Sequence, residues 1–67
     1  MIITYTETVA RNHSRHLTVA VCGDRATLTS WTRMGAREIG RGTTETTLEG
    51  AREIVRQHLG WGYRRQK

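Results

Sequence analysis

The residues of this 67-residue chain best suited to metal or nucleophilic chemistry are three histidines and one cysteine, and His13, His16 and Cys22 fall close together. On a strand, His16 and Cys22 would stand about 20 Å apart, too far to share one zinc ion. His13 and His16 supply two ligands at most, so no metal site and no cofactor is expected. No base flanks Cys22, which reads as a small strand residue rather than a nucleophile. Ser14 falls in a connecting segment and Ser30 faces the core. Neither is spaced with a histidine and an acid as a triad requires. Glu49 and Glu53, four apart, read as a solvated helix face rather than an acid/base pair. Gly40-Arg41-Gly42 lacks the Gly-Lys-Ser/Thr that would follow in a phosphate-cradling loop. The expectation is a protein that is not an enzyme.

Binding is the better prospect. Ten arginines and one lysine oppose six acids, for a net charge of +5. That excess favours an anionic partner: nucleic acid, an acidic protein surface or anionic lipid. Arginine's planar fork suits bidentate contact with phosphate or carboxylate, although GC-rich coding raises arginine over lysine as well. Two surfaces carry the candidates. One centres on Trp31, with His16, Thr18, Thr27, Thr29 and Arg33, joined by Arg37 and Arg41. The other is a basic stretch after Trp61, with Tyr63, Arg64, Arg65 and Lys67. A tryptophan rimmed by arginine serves either a protein hot spot or base stacking.

These residues must be positioned by a few elements. His16–Cys22 and Arg25–Arg33 alternate apolar and polar residues around Gly23-Asp24, the signal of a two-residue hairpin. That loop fixes the register. Cys22 then lies opposite Arg25, Val21 opposite Ala26, Val19 opposite Leu28 and Leu17 opposite Ser30. Ala20 pairs with Thr27, Thr18 with Thr29, and His16 with Trp31. One face collects Leu17, Val19, Val21, Ala26 and Leu28, and the other is threonine with Trp31 and Arg33 at one end. Ile2–Val9 is predicted as a first strand, interrupted on its apolar face by Glu7, and residues 10–15 as a polar connection. After a Met34-Gly35 turn, residues 36–41 are predicted as a fourth strand with Ile39 inward. A short helix capped by Ser30, with Gly35 inside it at a cost of about 1 kcal/mol, is the alternative.

Thr46 followed by Glu49 forms a capping-box pattern, and Leu48, Ala51, Val55 and Leu59 continue at helical spacing. Gly60 is placed as the left-handed residue that ends this helix, with Trp61 folding back near Val55. Gly35–Ile39 recurs as Gly50–Ile54, and the same pentapeptide is expected to take different structures in its two contexts. The helix is predicted to cover Leu17, Val19, Val21 and Leu28, with Ile3, Tyr5 and Ile39. The fold class is therefore α+β: a three- or four-stranded antiparallel meander with one C-terminal helix on one face. The whole chain, 1–67, reads as one small domain, with 61–67 a short basic aromatic tail. Its size implies a thin core and modest stability. A single cysteine, no apolar run near the roughly 18 residues of a span and no signal-peptide pattern point to a cytoplasmic protein. A monomer or weak dimer is expected, since an uncovered edge strand can pair two copies.

Two resemblances follow. The meander, the glycine-bearing last strand and the run Thr43–Ala51 resemble the three-strand-plus-helix DNA-binding domains of phage integrases and related transcription factors, over Leu17 to Leu59. That likeness implies a small basic protein reading DNA with its open sheet face. In size and layout, notably His16–Arg33 and Thr46–Leu59, the chain also resembles small phage-encoded anti-CRISPR proteins of type I systems. This second likeness implies a non-enzymatic inhibitor in a bacterial host cell, docking on a subunit of Cascade or on the Cas3 nuclease. The partner-binding residues expected for either role are Trp31, Arg33, Arg37, Arg41, His16, Thr18, Thr29, Tyr63, Arg64 and Arg65.

Overall fold

The structure is a computed structural model and describes residues 1–66. Four long strands follow one another: β1 (Ile2–Ala10), β2 (His13–Cys22), β3 (Arg25–Met34) and β4 (Arg37–Thr47). A helix, α1 (Leu48–Gly60), and a two-residue strand, β5 (Arg64–Arg65), complete the chain. The antiparallel sheet has the order β4-β3-β2-β1-β5, so the meander is extended on its β1 side by the end of the chain.

The central hairpin has the register its turn dictates, Cys22 to Arg25 through His16 to Trp31, and it continues to His13 opposite Met34. Gly23 supplies the positive φ, 63°, that a II′-like two-residue loop needs at its first position. The polar connection expected over residues 10–15 shrinks to Arg11-Asn12, and β2 begins at His13 rather than His16. Asn12 takes φ 62°, which asparagine tolerates better than most residues. His13, Ser14 and Arg15 find pairing partners on β3, which extends both strands past the end of the core.

Residues 37–47 are strand, not helix, and β4 runs six residues beyond Arg41 because Thr43, Thr44, Thr46 and Thr47 are β-branched. Gly40, at φ 65°, and Arg41 together oppose Trp31, forming a β-bulge. The repeated pentapeptide is turn and strand in one copy and helix in the other, so context overrides its local preference.

One face of the sheet carries the core: Leu17, Val19, Ala26 and Leu28 beneath Ala51 of α1, with Tyr63 closing one end. The helix cap is Thr47 rather than Thr46: the Thr47 hydroxyl accepts from the Gly50 amide at 3.1 Å. Thr46 lies directly under Gly50, where an added Cβ would strike its side chain. The left-handed residue after the helix is Gly62, φ 107°, not Gly60. Trp61 is 61% exposed and does not cover Val55; its ring tilts against His58 instead. Ile39 was expected inward but is 44% exposed, because α1 lies over the other end of β3 and β4.

These assignments set energetic expectations. Leu28→Ala should cost about 2–5 kcal/mol, the range for emptying a buried leucine site. Thr47→Ala should cost about 1 kcal/mol, as the loss of a helix cap. Urea denaturation of the two variants checks both; a larger loss for Thr46→Ala than for Thr47→Ala would reassign the cap.

Candidate functional site

The open face of the sheet is built in rows, because residues paired across antiparallel strands share a face. One row is threonine throughout: Thr4, Thr18, Thr29 and Thr43 stand in register across β1 to β4. The Thr29 and Thr43 hydroxyls are 3.4 Å apart. The next row crosses the whole sheet. Arg64 pairs with Thr6, Thr6 with His16, and His16 with Trp31, while the bulge brings Arg41 beside the indole. A third row, Thr8, Ser14, Arg33 and Glu38, borders it.

Side chains in the middle row hold one another. The His16 and Trp31 rings stack with centroids 5.2 Å apart and planes 10° from parallel. The Arg41 guanidinium lies 4.8 Å from the Trp31 centroid, a cation–π contact. Arg41 also grips Glu38 with two hydrogen bonds, one of them from Nε at 3.0 Å. This bidentate contact lowers the Glu38 carboxyl below its ordinary range and raises the Arg41 guanidinium further. Trp31 is thus half-buried and flanked by His16 and Arg41, rather than offering a bare ring to a stacking base.

His16 completes the cluster. Its Nε2 shares a hydrogen bond of 2.8 Å with Ser14 Oγ, and its Nδ1 lies 3.4 Å from Thr6 Oγ1. A serine hydroxyl bonded to an imidazole resembles the start of a nucleophile–base pair. Here the outer nitrogen meets a threonine, not a carboxylate, so nothing of the triad type orients and charges the ring. The hydrogen bonds instead fix the plane on which Trp31 stacks. In a loop over residues 10–15 the two side chains have no fixed relation; because β2 starts at His13, the i, i+2 spacing puts both on one face.

Of the expected binding residues, the structure brings together His16, Thr18, Thr29, Trp31, Arg33, Arg41 and Arg64. Three others fall elsewhere. Arg37 pairs with Met34, on the opposite face from Trp31, because the extra residue at Gly40–Arg41 reverses the alternation between Arg37 and Arg41. Arg65 pairs with Tyr5, also on the opposite face. Tyr63 is 7% exposed and belongs to the core, edge-on to His58 at 4.8 Å. The segment read as a basic tail is therefore anchored: Tyr63 packs, Arg64 and Arg65 pair with β1, and the Gln66 amide donates to the Thr4 carbonyl at 2.8 Å. Lys67 lies outside the described residues.

On the helix-covered side a groove of about 390 Å³ lies between α1 and the β1–β2 half of the sheet. Ile3, Tyr5, Val21, Leu48, Val55 and Leu59 line it, with Arg52 and Arg56 at its lip. Its chemistry is that of an apolar contact. No group of three or more histidine, cysteine or carboxylate side chains suited to a metal ion occurs among the described residues. No described helix is long and apolar enough to cross a membrane. No family model matches the chain, and no curated protein or solved structure is found similar to it.

Burial raises the Tyr63 phenol above its ordinary value of 10.0, with nearby Glu7 adding to the shift and Arg15 opposing it. The folded chain favours the neutral phenol. Its stabilising share is therefore complete below the ordinary value and is lost as pH rises through the raised one. Unfolding free energy measured in urea should fall as pH rises past the ordinary tyrosine value of 10.0, and Tyr63→Phe should fall less steeply. Equal slopes for the two proteins would contradict the burial of this ring.

Proposed function

We propose that the protein is a non-enzymatic docking domain that binds a partner protein with its open sheet face. The observation that carries this reading is the row Arg64–Thr6–His16–Trp31–Arg41, which crosses five strands and is left uncovered by α1. Tryptophan and arginine dominate the energetics of protein interfaces, and both are held here in one conformation before binding. Docking on a subunit of a type I interference complex, Cascade or Cas3, blocks target DNA binding or cleavage. That role makes the chain an inhibitor of anti-CRISPR type. A net charge of +5 suits an acidic patch on such a subunit.

The DNA-reading alternative draws support from Arg33, Arg41 and Arg64 on the same face. Against it stand Glu38 and Glu45, which share that face and oppose phosphate. Arg41 and Arg25 are also already paired, with Glu38 and Glu45 respectively.

Immobilised protein should retain a Cascade or Cas3 subunit from a host lysate, and Trp31→Ala should weaken that binding by about 30-fold, the effect of losing a hot-spot residue. Failure to retain any interference subunit would reject this partner class. Tight duplex binding, with affinity falling by about 0.9 log units per phosphate contact for each log unit of salt, would establish the DNA reading instead.

A further inference from the structure

The two edges of the sheet are finished differently. On the β1 side, β5 and the Gln66–Thr4 hydrogen bond cover the middle of the strand. On the other side, β4 is an 11-residue edge strand whose residues are all exposed except Thr46. The direction of its backbone groups follows from the ladder. The Val21 amide donates to the Met1 carbonyl, so odd-numbered residues of β2 bond to β1 and even-numbered ones to β3. The partners of the latter, such as Thr27 opposite Ala20, turn toward β2, which leaves Ala26, Leu28 and Ser30 to bond to β4. Their partners Thr46, Thr44 and Gly42 therefore turn inward, and the N–H and C=O groups of Thr43 and Glu45 point out into solvent.

From this edge we infer a homodimer in which β4 pairs with β4 of a second copy, antiparallel and centred on Thr43. In that register Thr43 opposes Thr43 of the partner copy, Gly42 opposes Thr44, and Arg41 opposes Glu45. Arg41 and Glu45 both stand on the open face, Arg41 over Trp31 and Glu45 bonded to Arg25 at 3.1 Å. The two Arg41–Glu45 contacts related by the two-fold axis link with the existing pairs into alternating chains, Arg25–Glu45–Arg41–Glu38. Sliding the pairing by two residues in either direction sets Arg41 against a threonine, and sliding it by four to centre on Arg41 sets arginine against arginine, so charge favours the register centred on Thr43. The bulge at Gly40–Arg41 ends the pairing after five residues and keeps the dimer weak. Self-pairing fuses the two threonine rows into one that crosses both copies. It needs no other partner and stands apart from the docking role.

Sedimentation velocity across a hundredfold range of concentration tests the inference on the full chain alone. The wild type should show reversible monomer–dimer exchange. Arg41→Glu and Glu45→Arg should each lower the association constant at least tenfold, and an equimolar mixture of the two should recover a 1:1 heterodimer. Thr43→Pro, which removes an outward-facing N–H and leaves the backbone bonds to β3 in place, should be folded and monomeric. A wild type that stays monomeric throughout would overturn the proposal. So would a dimer indifferent to the charge variants, or a mixture that fails to pair.

Discussion

The apolar side chains of the two central strands alternate onto one face of the sheet, and the rest of the structure depends on that one-sidedness. Leu17, Val19, Ala26 and Leu28 alternate onto one side, so a single helix suffices to bury them. Even this is achieved only in part. The helix lies over β3 and β4, and an apolar groove remains over β1 and β2. With one helix and that helix on the core side, the other face is left open. Threonine is the residue that lets that face stay a strand surface while meeting water, because its β-branch favours the extended chain and its hydroxyl is solvated.

On this polar ground the Trp31 cluster stands out, and small backbone features place it. A two-residue turn at Gly23-Asp24 aligns His16 with Trp31. A bulge at Gly40–Arg41 then turns Arg41 onto the same side, where an unbroken strand would have sent it to the helix face. Ser14 and Thr6 lock the imidazole, the imidazole supports the indole, and Glu38 steadies the arginine beyond it. The imidazole, the indole and the guanidinium each also touch a neighbour on another strand, so the surface is organised before any partner arrives.

Much of this was legible in the residues and some was not, for identifiable reasons. The central hairpin was readable pair by pair, since a two-residue loop and strict alternation leave one register that buries Leu17, Val19 and Leu28. The helix was readable from its spacing, but its cap was misplaced by one residue: Thr46 and Thr47 both suit the cap, and only the descent of Thr46 toward the core decides between them. The reach of β2 and β4 was underestimated because His13–Arg15 and Thr43–Thr47 lack apolar alternation, and they are strands through pairing rather than burial. Nothing marked the bulge except Gly40, and so Arg37 was wrongly grouped with Arg41. The fifth strand, two residues long, has no period to read; Tyr63 enters the core because Gly62 turns the chain back beside Glu7.

The docking proposal places binding on the open face and not in the apolar groove behind it. Backbone amide NMR spectra of the isotope-labelled chain, recorded free and with a retained partner protein, distinguish the two surfaces. On the open-face proposal the signals of Thr18, Thr29, Trp31, Arg33 and Arg41 shift or broaden while those of Val21, Leu48, Val55 and Leu59 stay in place. Changes confined to Val21 and the helix residues would contradict it and move the binding surface to the groove.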